Sequence, residues 1–234
     1  MKNIFLLVAV FFFSSCYNSK RGSGKIITAQ RNTGSFNAIK VSNSIDVDVQ
    51  QGNESVVTIE ADDNIIAYIE TKNNNGQLHI GLKSGANLLN ATLKVHVICA
   101  DLTKLSASAS SEIITNGIFK CSNKLDVNAS NSASIKAEID APLIVVEAHN
   151  SAEVKIKGKT KDITLTATNS ADIDAQNLQA ENATAKATNS GKIYLFASVS
   201  LSATATNSSD IFYTGGVTDV TKTEKNSGNV SAIK

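Results

Sequence analysis

From about residue 101 onward, small or apolar side chains fall on every second position, with Ser, Thr, Lys, Glu, Asp or Asn between them. Leu165 and Ala167 alternate with Thr164, Thr166 and Thr168, and beyond Asn169-Ser170 the same alternation resumes with Ala171 and Ile173. A period of two predicts strands with one buried face. A helix, with 3.6 residues per turn, would scatter the same residues round its axis. The alternation is interrupted at Asn131, Asn150, Asn169, Asn189, Asn207 and Asn226, each followed by Ser, at intervals of 19, 19, 20, 18 and 19 residues. In a degenerate copy, "SASASSEI", Ala109 takes the Asn place.

Self-similarity at this period predicts a solenoid, in which each repeat buries its apolar face only against its neighbours. Each copy reads as strand, Asn-Ser corner, strand, then a looser second corner. The expected fold is all-β: a single-stranded parallel β-helix of about 19 residues per turn with two main faces. Right-handedness is the default for parallel crossovers. Equivalent residues then lie about 4.8 Å apart, seven turns span roughly 34 Å, and the six asparagines form a structural corner ladder. Asn tolerates the left-handed backbone a tight bend needs. The expectation is Asn turned inward and Ser outward, with the small residue two places on (Ala133, Ala152, Ala171, Gly191) filling the pinched end. In the last copy Lys222 and Glu224 stand where other copies are apolar, as a solenoid's terminal turn requires.

Residues 25–100 alternate too, in "FNAIKVSNSIDVDVQQG" and "ATLKVHVICA", but without the repeat. They read as a β-rich segment that leads into residues 101–234 and caps the first turn. Ahead of them, residues 1–15 combine Lys2, an apolar run from Ile4 to Phe13, and small residues before Cys16. That run is short of the roughly 20 apolar residues a spanning helix needs. The segment resembles a bacterial lipoprotein signal, which implies cleavage before Cys16 and a lipid on its sulfur; an ordinary secretory signal is the alternative. Residues 16–24 read as a flexible tether. Cleavage would remove Lys2 from the 22 basic side chains and balance the rest against 21 acidic ones. A neutral chain offers no electrostatic basis for binding nucleic acid.

The lipoprotein-type signal, the "FNAIKVSNSIDVDVQQG" segment and the Asn-Ser array together resemble the adhesin family with a head GIN domain, secreted proteins of Bacteroidetes. The resemblance covers nearly the whole mature chain. It implies a β-helix without a transferable active site, a place in the cell envelope as an outer-membrane lipoprotein on either face, and a role in cell adhesion.

Candidate chemistry is sparse. Cys99 and Cys121 each stand ten residues before a corner position, Ala109 and Asn131, so they should adjoin on neighbouring turns; a disulfide and a pair of free thiols are both open. His79, His96 and His149 are isolated, no metal-ligand spacing occurs, and no cofactor or catalytic residue is assigned. Glu153, Asp172 and Asp174 share one face; weak calcium binding or a catalytic pair is weighed against salt-pairing with Lys155 and Lys192. Tyr194 and Phe212 both stand five places after the corner and should stack outward as a contact patch. Two classes follow. One is a non-enzymatic, lipid-anchored binding module presenting a rigid surface to glycans, matrix or other copies of itself. The alternative is a carbohydrate-active β-helix enzyme using surface carboxylates.

Overall fold

The computed structural model describes residues 19–233. The signal segment and Cys16 lie outside the described residues. In chain order the first strands are β1 (Lys20–Arg21), β2 (Ile26–Arg31), β3 (Ala38–Val41), β4 (Asp46–Gln51), β5 (Val56–Asp62), β6 (Ile69–Asn74), β7 (Gln77–Leu82), β8 (Leu88–Leu89) and β9 (Leu93–Cys99). Then come β10 (Lys104–Ser108), β11 (Glu112–Lys120), β12 (Leu125–Ser130), β13 (Ser134–His149), β14 (Glu153–Thr168) and β15 (Asp172–Thr188). The chain closes with β16 (Lys192–Phe196), β17 (Ser200–Thr206), β18 (Asp210–Thr214), β19 (Asp219–Lys225) and β20 (Asn229–Ala232). All but β1 and β8 join one 18-stranded sheet that coils on itself. From β3 and β4 to the C-terminus every pairing along the coil is parallel, so the chain is the β-solenoid its repeat predicts.

The coil has two faces meeting at the Asn-Ser corner. The face after the corner stacks β4, β11, the first halves of β13, β14 and β15, then β16, β18 and β20. The face before it stacks β3, β10, β12, the second halves of β13–β15, then β17 and β19. Alternation places one residue in two inside. Ile113, Ile135, Val154, Ile173, Ile193 and Ile211 form one buried column, opposed across the lumen by smaller residues such as Ala185 and Ala203. Burial of each large aliphatic side chain favours the fold by about 1.5–3 kcal/mol.

Corner geometry is uniform. Both residues of each pair have positive φ, from Asn43 (68°) and Ser44 (54°) to Asn226 (49°) and Ser227 (60°). Each corner serine's amide donates to the carbonyl of the corner residue in the next layer, for example Ser151 to Asn169 at 3.1 Å and Ser170 to Asn189 at 3.0 Å. The backbone ladder between layers therefore continues through both corner residues. The asparagines do not point inward as expected. Asn and Ser are both exposed, and the ladder runs along the outer edge. The reason lies two residues on: this end of the lumen is narrow and filled by small side chains, Ala133, Ala152, Ala171 and Ser209, and in the Gly191 layer even a Cβ would stand 2.5 Å from the Ala167 carbonyl oxygen. Ser209, fully buried there, spends its hydroxyl on the Ala187 carbonyl at 2.8 Å.

The corner column begins earlier than the repeat suggests. Ser44 donates to the carbonyl of Ala109 at 3.0 Å, so β3 and β4 form the first turn of the same stack. The next 52 residues are an excursion to the outer side of that turn, where β7 pairs with β3 and β9 with β4, both in parallel. Only beyond these does antiparallel pairing close the end, through β5 on β9, β2 on β5, and the β6–β7 hairpin at Asn75-Gly76. Both hairpin residues have positive φ, as a tight two-residue turn requires. An antiparallel cap leaves no long parallel edge at this end for another chain to extend.

At the opposite end Lys222 and Glu224 occupy inward positions, in register with Ala203 and Ala205. The Lys222 ammonium donates to the Val230 carbonyl at 3.1 Å, and the Glu224 carboxylate accepts from the Val230 amide. The lumen is thus stoppered with polar groups that the chain itself satisfies.

Candidate functional site

On the face after the corner, the outward residues five places beyond it form a single column. Ile114, Lys136, Lys155, Asp174, Tyr194 and Phe212 stand in successive register from one layer to the next. At its C-terminal end the rings of Tyr194 and Phe212 stack with centroids 5.0 Å apart and planes inclined by 21°. Both rings are half-buried, so their outer surfaces remain a platform. An offset aromatic pair contributes about 0.5–1.5 kcal/mol beyond the area it buries. The structure therefore brings together the pair that the spacing singles out.

At the other end of the column two slips in register open a cleft. Against β13, β11 bulges between Ile114 and Ile118. Asn116 and Gly117 are pushed outward, and Gly117 takes the positive φ (80°) that the bulge needs. Against β15, β14 slips between Lys155 and Lys157. The resulting cleft holds about 370 Å³, with Ile156 and Ala137 at its base and Lys136, Lys155 and Lys157 at its rim. That volume lies in the range of small-ligand sites. The Thr115 hydroxyl beside the cleft accepts the Glu138 amide at 2.9 Å.

The rim charges are paired one to one. Lys136 meets Glu112 at 2.8 Å, Lys157 meets Glu138 at 3.0 Å, and Lys155 meets Asp174 at 3.4 Å. The bond from Glu112 holds the Lys136 ammonium's pKa above its ordinary value, so it stays charged. Exposed pairs of this kind are worth about 0–1 kcal/mol. A ligand carrying both donors and acceptors can exchange with them at little cost.

The other candidates find simpler roles. Glu153 and Asp172 are in register, Asp172 is also in register with Lys192, and Asp174 is the member of the trio that makes an ion pair, with Lys155 at 3.4 Å. His149 shares a 2.6 Å hydrogen bond with the Thr168 hydroxyl. Cys99 and Cys121 are free, buried thiols. Burial pushes both thiols up to about 12, helped by the Asp101 carboxylate. The Asn ladder runs unbroken from Asn131 to Asn226 through amide bonds of 2.9–3.1 Å. One cluster escapes sequence reasoning. His96 lies between Asp48 (3.3 Å) and Glu60 (3.4 Å), with Lys94 on Asp48 at 3.0 Å. These residues come from three strands stacked out of chain order, and no spacing in the sequence signals their meeting. Among the described residues no group of three or more His, Cys, Asp or Glu is arranged to hold a metal ion.

The sequence family described as "Putative auto-transporter adhesin, head GIN domain" matches residues 35–216. The chain belongs to this family. The matched span runs from the first turn of the coil to the end of β18, and it includes both the cleft and the aromatic stack. Solved structures share the fold. A "putative adhesin" from Bacteroides fragilis superposes with a TM-score of 0.82 at 19% identity, over 92% of this chain and 100% of that one. A "putative lipid binding protein" from Parabacteroides distasonis gives 0.78 at 22% identity, over 92% and 100%. A "putative adhesin" from Parabacteroides merdae gives 0.73 at 23%, over 92% and 99%. No curated protein matches the chain. Membership of the family places the chain among adhesin-like, cell-surface proteins. Among the described residues no helix is long and apolar enough to cross a membrane.

Proposed function

We propose that this adhesin-family chain is a non-enzymatic binding module, held in the outer membrane by a lipid on Cys16, that presents a rigid rod to glycans. The observation that carries the ligand class is the Tyr194–Phe212 stack standing in one column with the charged cleft. Sugar rings present apolar C–H faces and polar edges. An aromatic platform suits the former, and a rim of alternating ammonium and carboxylate groups suits the latter. The names borne by the family and by its solved relatives favour binding over catalysis.

The test is a glycan and matrix-protein array probed with residues 22–234 and with the variant Tyr194→Ser/Phe212→Ser. Loss of both rings should weaken glycan binding roughly tenfold. Equal binding by the variant removes the aromatic site, and a change only in sizing behaviour would make the patch a self-association surface. Polysaccharide depolymerisation assays, with and without calcium, run beside it; any product would overturn the non-enzymatic reading. Anchoring is tested separately. Cys16→Ser should release the protein from the membrane fraction and abolish the mass increment of the lipid.

A further inference from the structure

We propose a second ligand site on the face before the corner: a groove along the rod axis that takes one extended, neutral, β-linked polysaccharide chain. It shares only the ligand class with the aromatic cleft, and its residues and face are different.

The groove crosses four layers, β14, β15, β17 and β19, and holds about 290 Å³. One wall is a chain of polar side chains fixed by its own hydrogen bonds. Ser200 donates to Asn182 at 2.9 Å, and Asn182 donates to Asp162 at 2.9 Å. The other wall is a row of hydroxyls in strict register, Thr164, Thr184, Ser202 and Thr221. Thr184, Ser202 and Thr221 are exposed, and among the described residues none of the four hydroxyls has a hydrogen-bond partner. Between the walls the floor is strand backbone, because the side chains of Ile163, Ala183 and Leu201 are buried in the lumen behind it.

Each layer therefore offers one outward polar side chain and one hydroxyl flanking the strand backbone, repeated about every 4.8 Å, with the polar side chain fixed by hydrogen bonds in the first three layers. That step is close to the length of one pyranose in an extended β-1,4-linked chain. Successive sugars of such a chain are turned by about half a turn, so a polymer lying along the axis would present the same edge to the same wall at every second layer, with none of the entropy a flexible loop loses on binding. An α-linked chain coils and drifts out of step. The charge also selects. No ammonium lines the groove, while carboxylates stand at both ends, Asp162 in the first layer and Asp219 in the last. Polyanionic chains are repelled; neutral polyhydroxyl chains are not.

The experiment measures binding of the cello-oligosaccharides from glucose to cellohexaose, with malto-oligosaccharides as the coiled control. It compares wild type, Thr184→Val/Ser202→Ala and Tyr194→Ser/Phe212→Ser by calorimetry. The hydroxyl variant keeps strand-compatible shapes, and an unchanged melting temperature will show that it folds. Affinity for wild type should climb several-fold per added sugar until the four layers are filled, and malto-oligosaccharides should bind much more weakly. The hydroxyl variant should lose about tenfold, the equivalent of one or two net hydrogen bonds, and the loss should be of the same size when the hydroxyl changes are made in the aromatic variant. The proposal is overturned by no binding of any cello-oligosaccharide, by affinity independent of chain length, or by an undiminished hydroxyl variant. A loss confined to the aromatic variant would assign the chain to the cleft instead and likewise overturn the groove.

Discussion

The side-chain amide of Asn150 donates to the side-chain oxygen of Asn131, 3.1 Å away and one layer along the rod. Asn169 then donates to Asn150 at 3.0 Å, and Asn189 to Asn169 at 3.0 Å. These asparagines sit in the left-handed backbone region, which costs an ordinary residue roughly 1–2 kcal/mol. Each ladder bond returns about 0.5–1.5 kcal/mol. The repeated Asn is thus a residue that both tolerates the bend and offsets its cost.

Asn169 is an interior rung of the ladder: like Asn150, Asn189 and Asn207 it donates to one neighbour and accepts from another. Asn169→Ala loses both bonds and keeps the strained φ, and should cost about 2 kcal/mol in urea unfolding. Asn169→Gly loses the bonds but relieves the strain, and should cost less. If the Ala and Gly variants unfold together, the strain half of this account is wrong.

The pinched end of the lumen makes a sharper claim. Gly191→Ala drives a methyl against the Ala167 carbonyl and should destabilise the fold by about 1–3 kcal/mol. Ala171→Gly, one layer away at the equivalent place, removes a methyl without a clash and should cost about 1 kcal/mol. Thermal melts of the pair decide; a Gly191→Ala protein as stable as wild type would show that the corner is not sealed.

Cys99 and Cys121, both pushed up to about 12, should resist maleimides and aromatic disulfides at pH 8 in the native state and react fully in denaturant. A thiol raised on folding stabilises the native state below its unfolded pKa. That contribution falls as pH rises from about 9 towards 12, by roughly 1.4 kcal/mol per unit for each thiol. Cys99→Ala/Cys121→Ala should therefore flatten the alkaline arm of the stability profile. Rapid labelling of the folded protein would contradict the burial. Intact mass with and without reductant, on protein from an oxidising compartment, reads whether the two ever bridge.

Lys222 and Glu224 should keep the rod's C-terminal end from growing. Lys222→Leu/Glu224→Val removes the bonds to Val230 and leaves an apolar lumen beside the outer edges of β19 and β20, which pair inward with β17 and β18. Concentration-dependent association in sedimentation is expected, with wild type monomeric over the same range. A variant that stays monomeric would reduce these residues to ordinary surface charges.

Much of the rod is readable from residue spacing. Two equivalent residues in adjacent layers must lie a strand's width apart, so a constant interval fixes partners. That is how Tyr194 finds Phe212 and how six asparagines become a ladder. The inward turn expected of those asparagines fails, because spacing gives the register of a side chain and not the room around it. The excursion after β4 is illegible for a related reason. Residues 52–103 are placed outside a turn already made, so their neighbours are set by docking and not by sequence separation. The same displacement assembles Asp48, Glu60 and His96. The cleft arises from two local slips in register, two extra residues in β11 and one in β15; they lengthen their turns to 22 and 20 residues, but an interval does not say where in the turn the extra residues stand.

The sequence by itself determined the coil. Period-two alternation chose strands, the near-constant interval chose parallel stacking, and Asn with a small residue two places on chose the bend, because these depend only on local backbone preference and on like stacking on like. The tertiary structure decided what the coil presents: which end is capped, where the faces open into a cleft and a groove, and which charges meet. Those depend on displaced layers and on the volume left between side chains, quantities that exist only once the chain has closed upon itself.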